Sequence, residues 1–103
     1  MILVLCTVND ERNAKFIAKT LIEKNLAGCI NILPNISSVY KWENNIVTDN
    51  EFLLLIKTQK VLYDELEKAI KSIHPYELPE IISFDITGGS KDYLNWIKNS
   101  TKL

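Results

Sequence analysis

The shortages in this chain narrow its possible functions. Only two of its 103 residues are cysteine, three are glycine, three are proline, one is histidine and one, Arg12, is arginine. Two cysteines cannot make a disulfide scaffold, and Cys6 and Cys29 lie in apolar, strand-like runs where free thiols are expected. No CxxC or HExxH spacing occurs, so the common zinc and dithiol signatures are absent. With one arginine in the first turn of an expected helix, no phosphate-cradling loop is in view, which argues against an acylphosphatase-like enzyme.

Neither sign of charge dominates. Twelve basic residues against thirteen acidic leave a net charge of −1, which gives no basic footprint for nucleic acid or an anionic membrane. The aromatic and basic motif of an RNA-binding sheet is likewise missing. No stretch approaches the roughly 18 apolar residues of a membrane helix, and the start lacks a basic region followed by a cleavage site. The expectation is one cytoplasmic domain over residues 1–103 with no nucleic-acid or membrane partner.

What the chain does have is clear periodicity. The run 2–8 is β-rich and ends at Asn9-Asp10, good helix-capping residues. Ala14, Ile17, Ala18, Leu21 and Ile22 recur at helical spacing, with lysines and Glu23 opposite, and Gly28 follows closely. From Cys29 to Trp42 the residues Ile30, Ile32, Ile36, Tyr40 and Trp42 share even parity, which in a strand puts them on one face. Pro34 interrupts that strand and predicts a bend or bulge.

Glu43-Asn44-Asn45 supplies a turn, and residues 46–58 run back as a second long strand whose segment Phe52–Ile56 is apolar on both parities. Leu62, Leu66, Ala69, Ile70 and Ile73 mark a second helix, residues 80–86 a fourth strand, and a short helix carries Tyr93, Leu94, Trp96 and Ile97. The order, strand-helix-strand-strand-helix-strand-helix, predicts an α+β fold of ferredoxin-like, split βαβ topology with an antiparallel sheet. Two helices on one sheet face leave the other uncovered, yet Phe52–Ile56 is apolar on both sides, so self-association through the sheet is expected.

The densest chemistry is His74-Pro75-Tyr76-Glu77-Leu78-Pro79-Glu80. Each proline keeps the residue before it out of the helical region, so the segment is stiff and extended and holds its side chains at low entropic cost. The histidine could ligate a metal, form hydrogen bonds or simply pack. Glu77 and Glu80 could be hard oxygen donors or an acid–base pair, or could form ordinary salt bridges. Tyr40, Trp42, Tyr76 and Trp96 suit a cleft or an interface. Lys57, alone in an apolar strand, is expected to have a carboxylate partner.

Six ordered motifs then fall together: Leu5-Cys6-Thr7; Asn25-Leu26-Ala27-Gly28-Cys29-Ile30-Asn31; Ser38-Val39-Tyr40-Lys41-Trp42; Ile56-Lys57-Thr58; the His74–Ile81 run; and Asp92-Tyr93-Leu94-Asn95-Trp96. From the first strand to the last helix the chain resembles the CutA divalent-cation tolerance family. The resemblance implies a homotrimer akin to the PII signalling proteins, with strands of neighbouring subunits paired, and a non-enzymatic role in tolerance or homeostasis of divalent metals, copper in particular.

It also implies Cys6 and His74 as metal ligands, holding copper (Cu) or another divalent cation weakly at or near subunit clefts with none obligatory, while Tyr40, Trp42, Lys57, Tyr76, Glu77, Glu80 and Trp96 are candidates for a cleft or an interface. Thiolate and imidazole suit copper chemically, but two donors do not close a site. Some family members carry a second histidine where this chain has Ile73. Gly28 stands where alanine is common, and Asn44 where the hairpin usually has glycine. The alternative is a PII-like signalling or scaffold protein whose clefts bind a small anionic metabolite or a partner protein.

Overall fold

The computed structural model describes residues 1–102 and is built around one central strand. β1 (Ile2–Val8) pairs antiparallel on one side with β3 (Asn45–Thr58), Ile2 facing Thr58 and Val8 facing Phe52, and on the other with β4 (Ile81–Asp85). β2 (Cys29–Trp42) adds to the far side of β3, giving the order β2-β3-β1-β4. With α1 (Glu11–Glu23), α2 (Tyr63–Ile73) and α3 (Lys91–Asn99), this is the expected ferredoxin-like α+β topology with an additional C-terminal helix.

The helices form where side-chain spacing and capping agree. Asp10 caps α1 by accepting from the Asn13 backbone N–H at 2.7 Å, and Ala14, Ile17, Ala18 and Leu21 bury the face toward the sheet. Ile22, on the edge of that stripe, stays 40% exposed. The helix is stopped by Asn25 with φ 59°, not by Gly28, since no described glycine has positive φ. Gly28 is needed for space: a Cβ there would lie 2.8 Å from Ile97 Cδ1 and 3.1 Å from Ile97 Cα, so the glycine lets α3 close on the sheet end. α2 follows a single 3₁₀ turn, Lys60–Leu62, and buries Leu66 and Ile70 completely. Each such side chain contributes about 1.5–3 kcal/mol by leaving water. Against them pack Ile2, Val4, Cys6 and Val8 of β1 and Leu54 and Ile56 of β3.

Pro34 does make a bulge. The β2–β3 register runs regularly through Leu33↔Leu53, slips, and resumes at Ile36↔Glu51, while Asn35 takes φ 60°. The extra residue reverses the alternation, so Ile30 and Ile32 lie on the helix-covered face while Ile36, Tyr40 and Trp42 lie on the other. The expectation of one shared face for all five is therefore corrected: a bulge moves every later side chain across the sheet.

Two features of the sheet are left without partners in one chain. Its helix-free face carries Leu3, Leu5, Leu33, Leu53, Leu55, Ile82 and Phe84, of which Leu33, Ile82 and Phe84 are 40%, 46% and 51% exposed. Beyond Glu51, β2 and β3 pair only with each other among the described residues, so 36–51 is a two-stranded arm that contributes to a long axis of 45 Å. An isolated two-stranded ribbon is marginal in water.

The arm turns through Glu43 and Asn44 with φ of 49° and 65°, both in the left-handed region. That is the geometry in which Asn-Gly is favoured. The double substitution Glu43→Asn, Asn44→Gly is expected to stabilise the protein by about 1 kcal/mol, read as a raised midpoint in urea. An unchanged or lower midpoint would show that the turn does not limit stability.

Candidate functional site

Because Pro75 follows it, His74 leaves the helix in extended conformation, with φ −75° and ψ 136°, while its N–H still bonds the Ile70 carbonyl at 2.9 Å. The ring turns inward and is only 9% exposed. Nε2 lies 2.8 Å from the Thr7 carbonyl oxygen, and Nδ1 accepts the Tyr76 backbone N–H at 3.1 Å. The two contacts assign the tautomer: the proton sits on Nε2, which donates to Thr7, and Nδ1 keeps its lone pair for Tyr76. Burial holds the imidazole below its ordinary pKa, opposed by the Thr7 carbonyl and the Glu51 charge.

The network continues outward. Tyr76 packs edge-on against the His74 ring, centroids 4.7 Å apart, and its hydroxyl donates to Glu51 Oε2 at 2.6 Å. Glu51 is itself only 5% exposed, and Tyr76 ionisation is driven upward by burial and by that carboxylate. The prolines thus fix a chain of contacts from the end of β1 to the root of the arm.

Cys6 lies one residue from Thr7, near His74 as the topology requires, but its side chain is fully buried in the core. Burial, with smaller contributions from Glu80 and Glu51, pushes the thiol up to about 12, so near neutral pH it is protonated and a poor ligand. Both imidazole nitrogens are already used, and among the described residues no three His, Cys, Asp or Glu side chains are grouped to hold a metal. The donors within one chain do not fit a closed metal centre.

Among the described residues Lys57 has no carboxylate partner. Its ammonium contacts the Asn31 side-chain oxygen and lies 3.6 Å from Cys29 Sγ, because the β2–β3 register sets Cys29 opposite Lys57. The neighbouring Cys29 raises the pKa of Tyr93, and Trp96 stacks on Tyr93 with centroids 5.8 Å apart. Cys6 and Cys29 are both free.

The other aromatic and acidic candidates do converge. An open groove of about 930 Å³ runs between the arm and the His74–Glu80 segment, and Tyr40, Trp42, Tyr76, Glu77 and Glu80 line it, whereas Lys57 and Trp96 do not. Sequence reasoning missed Asp49 and Glu51, which also line it; Asp49 accepts a hydrogen bond from the Tyr40 hydroxyl. The available signal was an acidic residue, Glu51, immediately before the apolar run Phe52–Ile56, where a solvated strand end was the simpler reading.

Comparison with known proteins places these features in context. The family described as CutA1 divalent ion tolerance protein matches residues 2–100. The divalent-cation tolerance protein CutA of Thermus thermophilus is 43% identical over 98 residues, 95% of each chain. A chloroplastic protein CutA of Arabidopsis thaliana is 44% identical, with 98% of this chain matching 56% of that longer one. Among solved structures, CutA1 from Oryza sativa superposes with a TM-score of 0.96 at 46% identity, covering 98% of this chain and 93% of that one.

Proposed function

Since the chain belongs to the CutA1 divalent ion tolerance family, we propose that it serves divalent-cation tolerance as a non-enzymatic homotrimer that binds copper or another divalent ion weakly beside the arm groove. The apolar helix-free sheet face carries the oligomeric part of this reading. Three exposed large hydrophobics there, with Leu3, Leu5, Leu53 and Leu55 between them, need a cover that a second copy of the same surface supplies. The unpaired arm supports it, since a neighbour's strand or loop would complete its hydrogen bonding.

For the ion, the geometry favours an open site over a copper centre at Cys6. His74 can contribute Nδ1 only by giving up the Tyr76 amide, and the Cys6 thiol only by losing a proton from the core. Exposed Glu77 and Glu80 carry no such cost. Among the described residues no helix is long and apolar enough to cross a membrane. Plant relatives are named chloroplastic and an Archaeoglobus fulgidus structure periplasmic, so cytoplasmic residence is part of the proposal. The groove's acidity speaks against an anionic metabolite as its ligand, though not against a PII-like use of the cleft.

Calorimetric titration of Cu²⁺ and Zn²⁺ into wild type and His74→Ala tests the ion site. Weak binding in both, reduced by Glu77→Gln with Glu80→Gln, is expected. Tight copper binding abolished by Cys6→Ala would overturn the open-site reading in favour of the thiol.

A further inference from the structure

We propose that Cys29 and Lys57 form a redox modification site, in which peroxide oxidation of the thiol couples it to the lysine amine as a covalent, reducible sulfur–nitrogen bridge between β2 and β3.

The pairing is built into the sheet. Cys29 and Lys57 stand directly opposite each other in the antiparallel β2–β3 register, and the Gly28 N–H donates to the Lys57 carbonyl at 2.9 Å, so the two side chains leave the same face from adjoining backbone positions. Lys57 Nζ lies 3.6 Å from Cys29 Sγ although the residues are 28 positions apart in the chain. The amine is not tied up in an ion pair: its other contact is the neutral Asn31 side-chain oxygen, and among the described residues no carboxylate reaches it. The sulfur therefore has its reaction partner in place, and no outside ligand is needed to complete the site.

The two thiols differ in reach. Cys6 is fully buried in the core, whereas Cys29 is half-buried beside the exposed Asn31. Tyr93 of α3 adjoins Cys29, and Trp96 stacks on Tyr93, so the chain's own third helix flanks this corner. None of the exposed apolar side chains that need a cover, Leu33, Ile82 and Phe84, belongs to it. A molecule as small as hydrogen peroxide needs no open cleft to reach the sulfur.

One equivalent of hydrogen peroxide balances the chemistry. The sulfur attacks a peroxide oxygen, the O–O bond breaks, and thiol and peroxide become sulfenic acid and water, the sulfur losing two electrons and the peroxide gaining them. Sulfenic acids condense with a nitrogen held beside them. Lys57 releases one proton to water, its Nζ lone pair bonds Sγ, the S–O bond breaks, and the oxygen leaves as water with a second proton from the nitrogen. A dithiol reverses the step, restoring thiol and amine as it becomes a disulfide itself. While the bridge lasts, residues 29–57, the whole β2–β3 hairpin, are closed into one covalent loop.

The test treats the full chain under native conditions with hydrogen peroxide, blocks the remaining thiols and weighs the digested peptides. A linked pair containing Cys29 and Lys57 is expected, about 2 Da lighter than the sum of its parts and separated by dithiothreitol. In Lys57→Arg, which keeps the charge without a coupling amine, Cys29 should stop at the sulfenic acid, about 16 Da heavier and trapped by dimedone. Reductive methylation of the wild-type lysines should have the same effect with no change of sequence, so the outcome does not hang on a variant that misfolds. Identical products from untreated and methylated wild type would overturn the proposal. So would a 2 Da loss carried by a Cys6–Cys29 disulfide, or oxidation of Cys29 only in urea, which would mean that the folded corner is closed to peroxide. Each readout lies within one chain, so a monomeric wild type would refute the trimer and leave the bridge standing.

Discussion

Phe84→Glu is expected to turn the proposed trimer into a folded monomer. In one chain the Phe84 ring is half exposed, so replacing it costs the isolated fold little. In an assembly that buries the helix-free face, the same position lies opposite Leu3 in the register, with Leu5 and Ile82 forming the next pair along the strands. A carboxylate there would lose its hydration. Even a neutral polar group left unpaired costs roughly 2–7 kcal/mol on burial, and a charge costs more. Light scattering coupled to size exclusion should give about three times the 11.8 kDa chain mass for wild type and the single mass for Phe84→Glu, with circular dichroism unchanged. Retention of the wild-type mass by the variant would mean that Phe84 lies outside the interface, and a monomeric wild type would remove the trimer altogether. Hydrogen exchange gives an independent reading: if neighbours pair with the arm, amides in 36–51 should lose protection in the monomer.

The second large effect is on stability. His74→Ala removes a buried ring, the Nε2 bond to the Thr7 carbonyl and the Nδ1 bond from the Tyr76 amide, and weakens the seating of Tyr76 on Glu51. A loss of about 2–4 kcal/mol in unfolding free energy is expected from the cavity and the orphaned backbone groups together. The pH dependence follows from the tautomer. The folded histidine titrates below its ordinary 6.5 because burial disfavours the imidazolium, so the unfolded chain takes up the proton more readily. Where the unfolded state binds more protons, stability rises with pH. The His74 contribution is therefore complete above the ordinary value and declines as pH falls below it toward the lower folded value. Wild type should lose more stability than His74→Ala between neutral pH and mildly acidic pH. Parallel curves for the two proteins would mean that His74 does not couple folding to protons.

Taken together, these expectations separate the two halves of the Cys6–His74 pair. The histidine is a structural keystone beside an open groove, and the cysteine is part of the core. Their nearness follows from topology, since β4 runs antiparallel beside β1 and the segment feeding it passes the end where β1 finishes. Nearness alone does not make ligands of them. The acidic side chains that line the groove are Asp49, Glu51, Glu77 and Glu80.

By itself the sequence determined the kinds and order of the elements, because periodicity, capping and proline restrictions act over a few residues and leave their mark locally. The Ala14–Leu21 stripe, the Asp10 cap, the interruption at Pro34 and the doubly apolar run Phe52–Ile56 were all legible in that way. What only the tertiary structure decided were relations across strands: that one extra residue at Pro34–Asn35 carries Tyr40 and Trp42 to the helix-free face, that Lys57 meets Asn31 and Cys29 instead of a carboxylate, and that Glu51 is buried under Tyr76. These depend on register and contact between residues well separated in the chain, where a slip of one place in a strand exchanges the two faces of the sheet.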